Sequence, residues 1–328
     1  MNVTEFLTRS STEMEEGDKV ADLFRRARLG DRSALARLIS FVEREKEVLS
    51  FVPKELRTEG THSYLVGITG PPGAGKSTLT DRLVASYRGQ DDEVAVLAID
   101  PTSPYSGGAI LGDRVRMQSH ALDSKVYIRS MATRGSLGGL AVAVPITLRV
   151  LELASFNEII VETVGVGQVE VDIVGSSDST VVVLNPLWGD SIQANKAGLL
   201  EIADVFVVNK ADRDGVRQTR RDLEAMLDLS EPKKWRPPIV ETVASDGRGV
   251  SELVSALTAH REFLMDSGEI ERKRQRRALG EFTKATLRLF ERSLWDSEEF
   301  IRLHQRVKEG EMEPTRAAQE VIDRILRN

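Results

Sequence analysis

Gly70-Pro-Pro-Gly-Ala-Gly-Lys-Ser77 fits the pattern G-x-x-x-x-G-K-[ST], and its flanks are those the pattern requires. Ahead of it, Tyr64-Leu-Val-Gly-Ile-Thr69 is short and apolar enough for a buried strand. Behind it, Ser77-Thr-Leu-Thr-Asp-Arg-Leu-Val-Ala85 sets Leu79, Leu83 and Val84 at helical spacing. Strand, glycine-rich turn and helix in this order make a phosphate-binding loop. Gly70, Gly73 and Gly75 let the backbone curl so that its N–H groups face phosphate oxygens at the positive end of the helix dipole. Pro71, Pro72, Ala74 and Thr78 complete the candidate nucleotide-binding stretch. Lys76 is the candidate to reach the β- and γ-phosphates, and Ser77 to offer its hydroxyl to Mg²⁺. The competing reading is a glycine-rich turn that binds nothing.

Working outward, residues 63 to about 260 alternate apolar strands with helical stretches. Val94–Ile99, Glu158–Val161, Thr180–Leu184 and Val205–Val208 are near-continuous β-branched runs, which suit a parallel sheet covered on both faces. Leu137 to Ala154 is long and apolar enough for a buried helix bent at Pro145. The expected fold is a doubly wound, mostly parallel α/β domain of the P-loop NTPase kind, its ligand beyond the carboxyl ends of the strands. Residues 1–57 read as a helical extension: Ala21–Leu29 and Ala34–Phe41 have helical spacing, and Gly30-Asp-Arg-Ser33 separates them. The P-loop domain is expected over 58–260. Residues 261–328 read as charged helix, expected to serve dimerisation. Within it, Glu271-Arg-Lys-Arg-Gln-Arg-Arg277 is the most basic run, read as a solvated helix face rather than a nucleic-acid patch. Phe282, Leu287, Leu289, Phe290, Leu294 and Trp295 are more apolar than a lone surface helix needs, so some should pack on another helix of this chain or of a second copy.

Composition narrows the chemistry. Across 328 residues, hydrophobic residues are 41%, charged residues 29% and the net charge is −6, ordinary for a globular protein and no argument for nucleic acid. Cysteine is absent, which excludes disulfides and thiolate chemistry. The histidines His62, His120, His260 and His304 are scattered, with no helical pair to hold a metal. No apolar run reaches the length of a membrane span, and Met1-Asn-Val-Thr-Glu-Phe6 lacks a secretory pattern. The expectation is a cytoplasmic protein.

Four further stretches narrow the ligand. Asn209-Lys-Ala-Asp212 follows the strand Val205–Val208 and matches the guanine-reading sequence of GTP-binding proteins. Asp212 can accept hydrogen bonds from guanine N1–H and the exocyclic amine, where adenine presents the wrong edge. Lys210 can lay its stem along the base. Glu162-Thr-Val-Gly165 stands where a D-x-x-G segment would, with Glu162 for the Mg²⁺ shell and Gly165 for the γ-phosphate. Val166 follows in place of a water-orienting glutamine, so slow intrinsic hydrolysis is expected. Gln168 and Glu170 are candidates to position water, or else solvated loop residues. Asp100 ends a buried strand and Asp113 opens the next helical segment. Both are candidate Mg²⁺ ligands, often acting through water, with a helix cap the other reading of Asp113. Asn185 to Lys196 follows the strand Thr180–Leu184 and is a candidate nucleotide-responsive loop carrying Trp188, Asp190, Gln193 and Lys196.

Taken together, G-P-P-G-A-G-K-S-T, D-P-T-S-P, G-D-R-x-R-M, E-T-V-G-V-G-Q and N-K-A-D, in this order, resemble the MeaB/ArgK family of methylmalonyl-CoA mutase-associated GTPases, bacterial counterparts of the human methylmalonic aciduria type A protein. The resemblance runs over nearly the whole chain. It implies a homodimeric GTPase that uses GTP/GDP and Mg²⁺, gates adenosylcobalamin loading and protects methylmalonyl-CoA mutase or a related B12-dependent mutase. By motif it implies Lys76 and Ser77 for phosphate and Mg²⁺, and Asp100, Asp113 and Glu162 for the metal shell. It also implies Asp212 for guanine, Val243-Ala-Ser245 backing the base, and Asn185–Lys196 as the switch toward the mutase. Val243-Ala-Ser245 departs from the usual S-A pair, and Leu187-Trp188 is bulkier than usual there. Two other functions compete: a kinase or ATPase acting on an amino-acid transport component, and a slow nucleotide-dependent scaffold.

Overall fold

The computed structural model describes residues 3–44, 48–58, 63–100, 117–120, 122–132, 137–163, 177–186, 201–229 and 234–325. Residues Met1–Arg274 form one compact unit and Gln275–Asn328 a second.

The first unit is organised on a seven-stranded parallel sheet. Its strands are β1 (Tyr64–Thr69), β2 (Val94–Asp100), β3 (Val126–Ala132), β4 (Glu158–Thr163), β5 (Ser179–Leu184), β6 (Val205–Asn209) and β7 (Ile239–Thr242). They lie in the order β3-β2-β4-β1-β5-β6-β7, every pair parallel. β1, β4, β5 and β6 are buried along their whole length, the environment their β-branched runs imply. The sequence reading had not picked out β3 or β7, and both are edge strands. An edge strand needs no unbroken apolar run. Accordingly Arg129 and Ser130 interrupt β3, and Glu241 in the four-residue β7 is exposed.

Alternate residues of each strand serve opposite faces. Leu65, Leu97, Ile159 and Val161 join the N-terminal helices α1 (Val3–Arg28) and α2 (Arg32–Glu43) in one core, with α5 (Leu137–Leu153), which runs through Pro145. Val66, Ile68, Val96, Val181 and Val183 face the other way, onto α4 (Lys76–Arg88) and α7 (Val250–Asp266). Between these helices lie α3 (Lys54–Thr58), early in the chain, and α6 (Val216–Leu229), which packs Val216 and Leu223 on Phe206 and Val208. The break read at Gly30–Ser33 is a capped helix start, because Asp31 accepts from Ser33 N at 2.9 Å and Ala34 N at 3.0 Å.

The long helix α8 (Glu269–Trp295) begins in the first unit. There the basic run is not simply a solvated face. Lys273 Nζ donates to Asp178 O at 2.8 Å and to Asp204 Oδ2 at 3.1 Å, and Arg274 Nη2 donates to Ser63 O at 2.9 Å and to Asp178 Oδ2 at 3.2 Å. These charges are used internally, at the amino-terminal edge of the sheet. In the second unit, α9 (Glu298–Lys308) and α10 (Pro314–Ile325) close a small core of Leu303, Met312, Ala317 and Val321, on which Leu294 packs. Trp295 meets Phe300 edge-on at 4.9 Å. Phe282, Leu287, Leu289 and Phe290 stay largely exposed. Among the described residues no helix is long and apolar enough to cross a membrane.

Candidate nucleotide-binding site

The carboxyl ends of β1, β4, β5, β6 and β7 converge on one loop. Residues 70–75 leave β1 and enter α4 with no side-chain cap, so the first backbone N–H groups of the helix are available to an anion. Glycine is required at two points of the turn. Gly70 has φ +142°, and a side chain there would strike the Val183 carbonyl of β5. Gly75 has φ +94° and lies against the Asn209 amide. Lys76 is buried, and its Nζ arches back to Gly70 O at 2.8 Å and Pro71 O at 3.0 Å. The ammonium is thus held over the mouth of the turn. Thr78, by contrast, sits on the exposed side of α4.

Parallel pairing explains the next contact. The β1–β4 register sets Glu162 beside Ile68, so a residue distant in sequence arrives next to the first turn of α4. Ser77 Oγ donates to Glu162 Oε1 at 2.6 Å, with both residues buried. The donors brought together are hard oxygens, a hydroxyl and a carboxylate, and they fit Mg²⁺. Asp100 is the last residue of β2, but its side chain lies outside the described residues, as do Asp113, Gly165, Gln168 and Glu170 entirely. Among the described residues no three histidine or acidic side chains gather into a metal-holding group.

The other arm of the site is built on Asn209 and Lys210. Asn209 is buried at the end of β6, opposite Thr242 of β7. Its amide donates to Ala74 O at 2.7 Å, while its oxygen accepts from Thr242 Oγ1 at 3.0 Å and Ala244 N at 3.1 Å. One side chain therefore joins the phosphate loop to the loop after β7. Lys210, in the left-handed region at φ 59°, donates from Nζ to Gly73 O at 2.6 Å, and Asn185 Nδ2 reaches the same carbonyl at 3.4 Å. Beyond Asn185 and Pro186, the loop to Lys196 lies outside the described residues. Asp212 stands exposed two residues past Lys210. Val243 and Ala244 are buried and Ser245 is exposed.

The structure thus gathers Gly70–Ser77, Glu162, Asn209–Asp212 and Val243–Ser245 at one edge of the sheet. Two functions were not foreseen. Asn209 sits in the N-K-A-D stretch but works as a joint between loops. Arg82, on the exposed face of α4, donates from Nε to Ala244 O at 3.1 Å and from Nη2 to Ser245 O at 2.7 Å. An arginine on a helix surface carries no sequence signal of such a bond.

A family model described as "Methylmalonyl Co-A mutase-associated GTPase MeaB" matches residues 35–298. A Pyrococcus abyssi protein bearing a GTPase name is 46% identical over 314 residues, with 94% of this chain and 97% of that one covered. A Caenorhabditis elegans protein named as a mitochondrial methylmalonic aciduria type A homolog is 36% identical over 276 residues, covering 78% of this chain and 69% of its own. Among solved structures, one described as a LAO/AO transport system kinase has a TM-score of 0.70 at 26% identity, covering 94% of this chain and 98% of that one.

Proposed function

The chain belongs to the family of methylmalonyl-CoA mutase-associated GTPases, and we propose that it binds GTP with Mg²⁺ at this edge of the sheet, hydrolyses it, and serves as a chaperone for an adenosylcobalamin-dependent mutase. The observation that carries the nucleotide reading is the double joint of Asn209 and Lys210 to Ala74 O and Gly73 O. It ties the candidate base-reading turn to the phosphate loop, so one ligand can engage both. Lys76 would leave the Gly70 and Pro71 carbonyls for the β- and γ-phosphates. Ser77 and Glu162 would hold the metal, with Asp100 and Asp113 completing its shell. Bound Mg²⁺ would neutralise charge developing on the phosphates. Gly165 would sense the γ-phosphate, and Gln168 or Glu170 would position the attacking water.

Base choice gives a direct check. Asp212→Asn is expected to weaken GTP binding roughly ten- to a hundredfold, the weight of a charge-assisted hydrogen bond, and to shift preference toward xanthine nucleotides. Titration of both nucleotides measures this, and unchanged GTP affinity would remove the base-reading role from Asp212.

The mutase role is supported by the family's description and by the name of the C. elegans relative. In this proposal the chain is a cytoplasmic homodimer whose C-terminal helices pair. The loops after β4 and β5 report nucleotide state, gating cofactor loading and protecting the mutase. Val166 leaves the attacking water poorly held, and misplacement alone costs about a hundredfold. Methylmalonyl-CoA mutase should therefore accelerate GTP turnover by up to that factor, as phosphate release with and without the mutase would show. Separate substitutions of Gln168 and Glu170 should then lower the stimulated rate more than the basal one. Absence of stimulation by any B12-dependent mutase would sink the chaperone reading. The likeness to a protein described as a transport-system kinase favours one second reading, phosphate transfer to protein. Transfer of labelled γ-phosphate to a protein acceptor would establish it.

A further inference from the structure

Arg82 lies in the second turn of α4, away from the phosphate loop and outside the phosphate, metal and base motifs. Its guanidinium spans two successive carbonyls, Ala244 O at 3.1 Å and Ser245 O at 2.7 Å, across 162 and 163 residues of sequence. Planar forked donors suit this paired geometry in a way that a single ammonium does not. The loop is therefore fastened at two points. Asn209 Oδ1 takes the Ala244 N–H from the β6 side, and Arg82 takes the two carbonyls from the α4 side.

This fastening fixes what the loop presents. No peptide bond here is cis, and in a trans peptide the N–H is antiparallel to the carbonyl. With the Ala244 carbonyl turned to Arg82, the Ser245 N–H is turned away from it. The Ala244 N–H is already taken by Asn209. We infer that Arg82 is a positioning residue for base selection, orienting the loop 243–245 so that the Ser245 N–H meets the 6-oxo group of a purine. A 6-oxo group accepts from that N–H, whereas the 6-amino group of adenine brings a second donor against it. Arg82 touches no part of the nucleotide in this arrangement and acts through the loop. Its placement on α4 links the base-selecting loop to the helix whose first turn carries Lys76 and Ser77.

The inference rests on the GTPase reading, so its test must separate the two. GDP, IDP and ADP report different parts of the base: IDP keeps the 6-oxo group but lacks the 2-amine, and ADP reverses the 6-position. Affinities of the full chain for all three, measured in the wild type, Arg82→Met and Arg82→Lys, isolate the contribution of the loop. Arg82→Met keeps the aliphatic stem, and because Arg82 is exposed the variant should fold. GDP and IDP binding are expected to weaken together, each about tenfold for the loss of two charge-assisted bonds, while ADP binding changes little. Arg82→Lys should recover part of the loss. If GDP and ADP weaken by the same factor, Arg82 only supports the fold and the inference is wrong. An unchanged GDP-to-ADP ratio overturns it as well. Asp212→Asn, run alongside, tells which level has failed. If it too leaves GDP affinity intact, the guanine reading itself falls; if it lowers GDP affinity while Arg82→Met does not, only the role of Arg82 is lost.

Discussion

GTP turnover by Lys76→Ala is expected to fall by about a hundred- to a thousandfold, the cost of removing one preorganised donor from developing negative charge. Phosphoryl transfer asks little covalent chemistry of the protein, so catalysis is almost entirely placement and charge compensation. Lys76 supplies both. The fold holds its ammonium at 2.8 Å and 3.0 Å from two carbonyls of the loop that would wrap the phosphates. A cation so placed exchanges two neutral acceptors for anionic oxygens when a triphosphate enters. The fold should tolerate the substitution, because α4 is anchored by Leu79, Leu83 and Val84, all fully buried on the side facing the sheet. Single-turnover phosphate release, set beside a melting curve, is the measurement. Lys76→Arg should fare little better, since a planar fork cannot take the position of a compact ammonium. Hydrolysis within threefold of wild type in the alanine variant would remove Lys76 from the phosphate site.

How much of this could be read from the residues depended on how local each signal is. The phosphate loop announces itself, because tight turns need glycine in a short stretch and the flanking strand and helix have their own periodicities. The central strands were readable for a related reason. Burial on both faces favours long β-branched runs, as in Val181-Val-Val183. β3 and β7 escaped because an edge strand may carry a charge, Glu241 exposed to solvent and Arg129 half-buried in an ion pair with Glu43. The pairing of Ser77 with Glu162 lay between these cases. Each residue was a metal candidate by motif, but only the β1–β4 register puts them 2.6 Å apart. Lys273 and Arg274 show the opposite situation. In sequence they belong to a uniformly basic run, and nothing local distinguishes them from Arg276 or Arg277. Their pairing with Asp178 and Asp204 is created by the chain's return to the amino-terminal edge of the sheet. Arg82 is a similar case, since its acceptors are backbone carbonyls and leave no trace in side-chain composition.

Asn209→Ala should separate nucleotide affinity from nucleotide choice, and its effect should rank with that of Lys76→Ala. The asparagine is buried and makes three hydrogen bonds to three different segments: Ala74 O in the phosphate loop, Thr242 Oγ1 on β7, and Ala244 N in the following loop. Alanine removes all three at once and leaves buried polar groups whose loss of partners costs about 1–3 kcal/mol each. A total of roughly 3 kcal/mol, after some relaxation and water entry, is about a hundredfold in binding. About half of that should also appear as a melting temperature lower by about 3–6 °C for a unit of this size. The larger part of the loss should be shared by guanine and adenine nucleotides, because the joint to the phosphate loop fails, and a smaller guanine-specific part should follow because Asn209 also fastens Ala244 in the base-side loop. Asp212→Asn should do the reverse, shifting base preference with little change in melting temperature, since that carboxylate is exposed and bonds none of these segments. Asn209→Asp makes the comparison finer. It keeps an acceptor for Thr242 and Ala244 but loses the donor to Ala74 O and sets a carboxylate against that carbonyl. The phosphate loop should then loosen while the base-side loop stays fastened. GDP affinities and melting curves for the three variants decide the matter. If Asn209→Ala binds GDP within threefold of wild type, the joint described here contributes nothing to binding; if it loses guanine selectivity while keeping its affinity for adenine nucleotides, the residue serves base choice and not the joint.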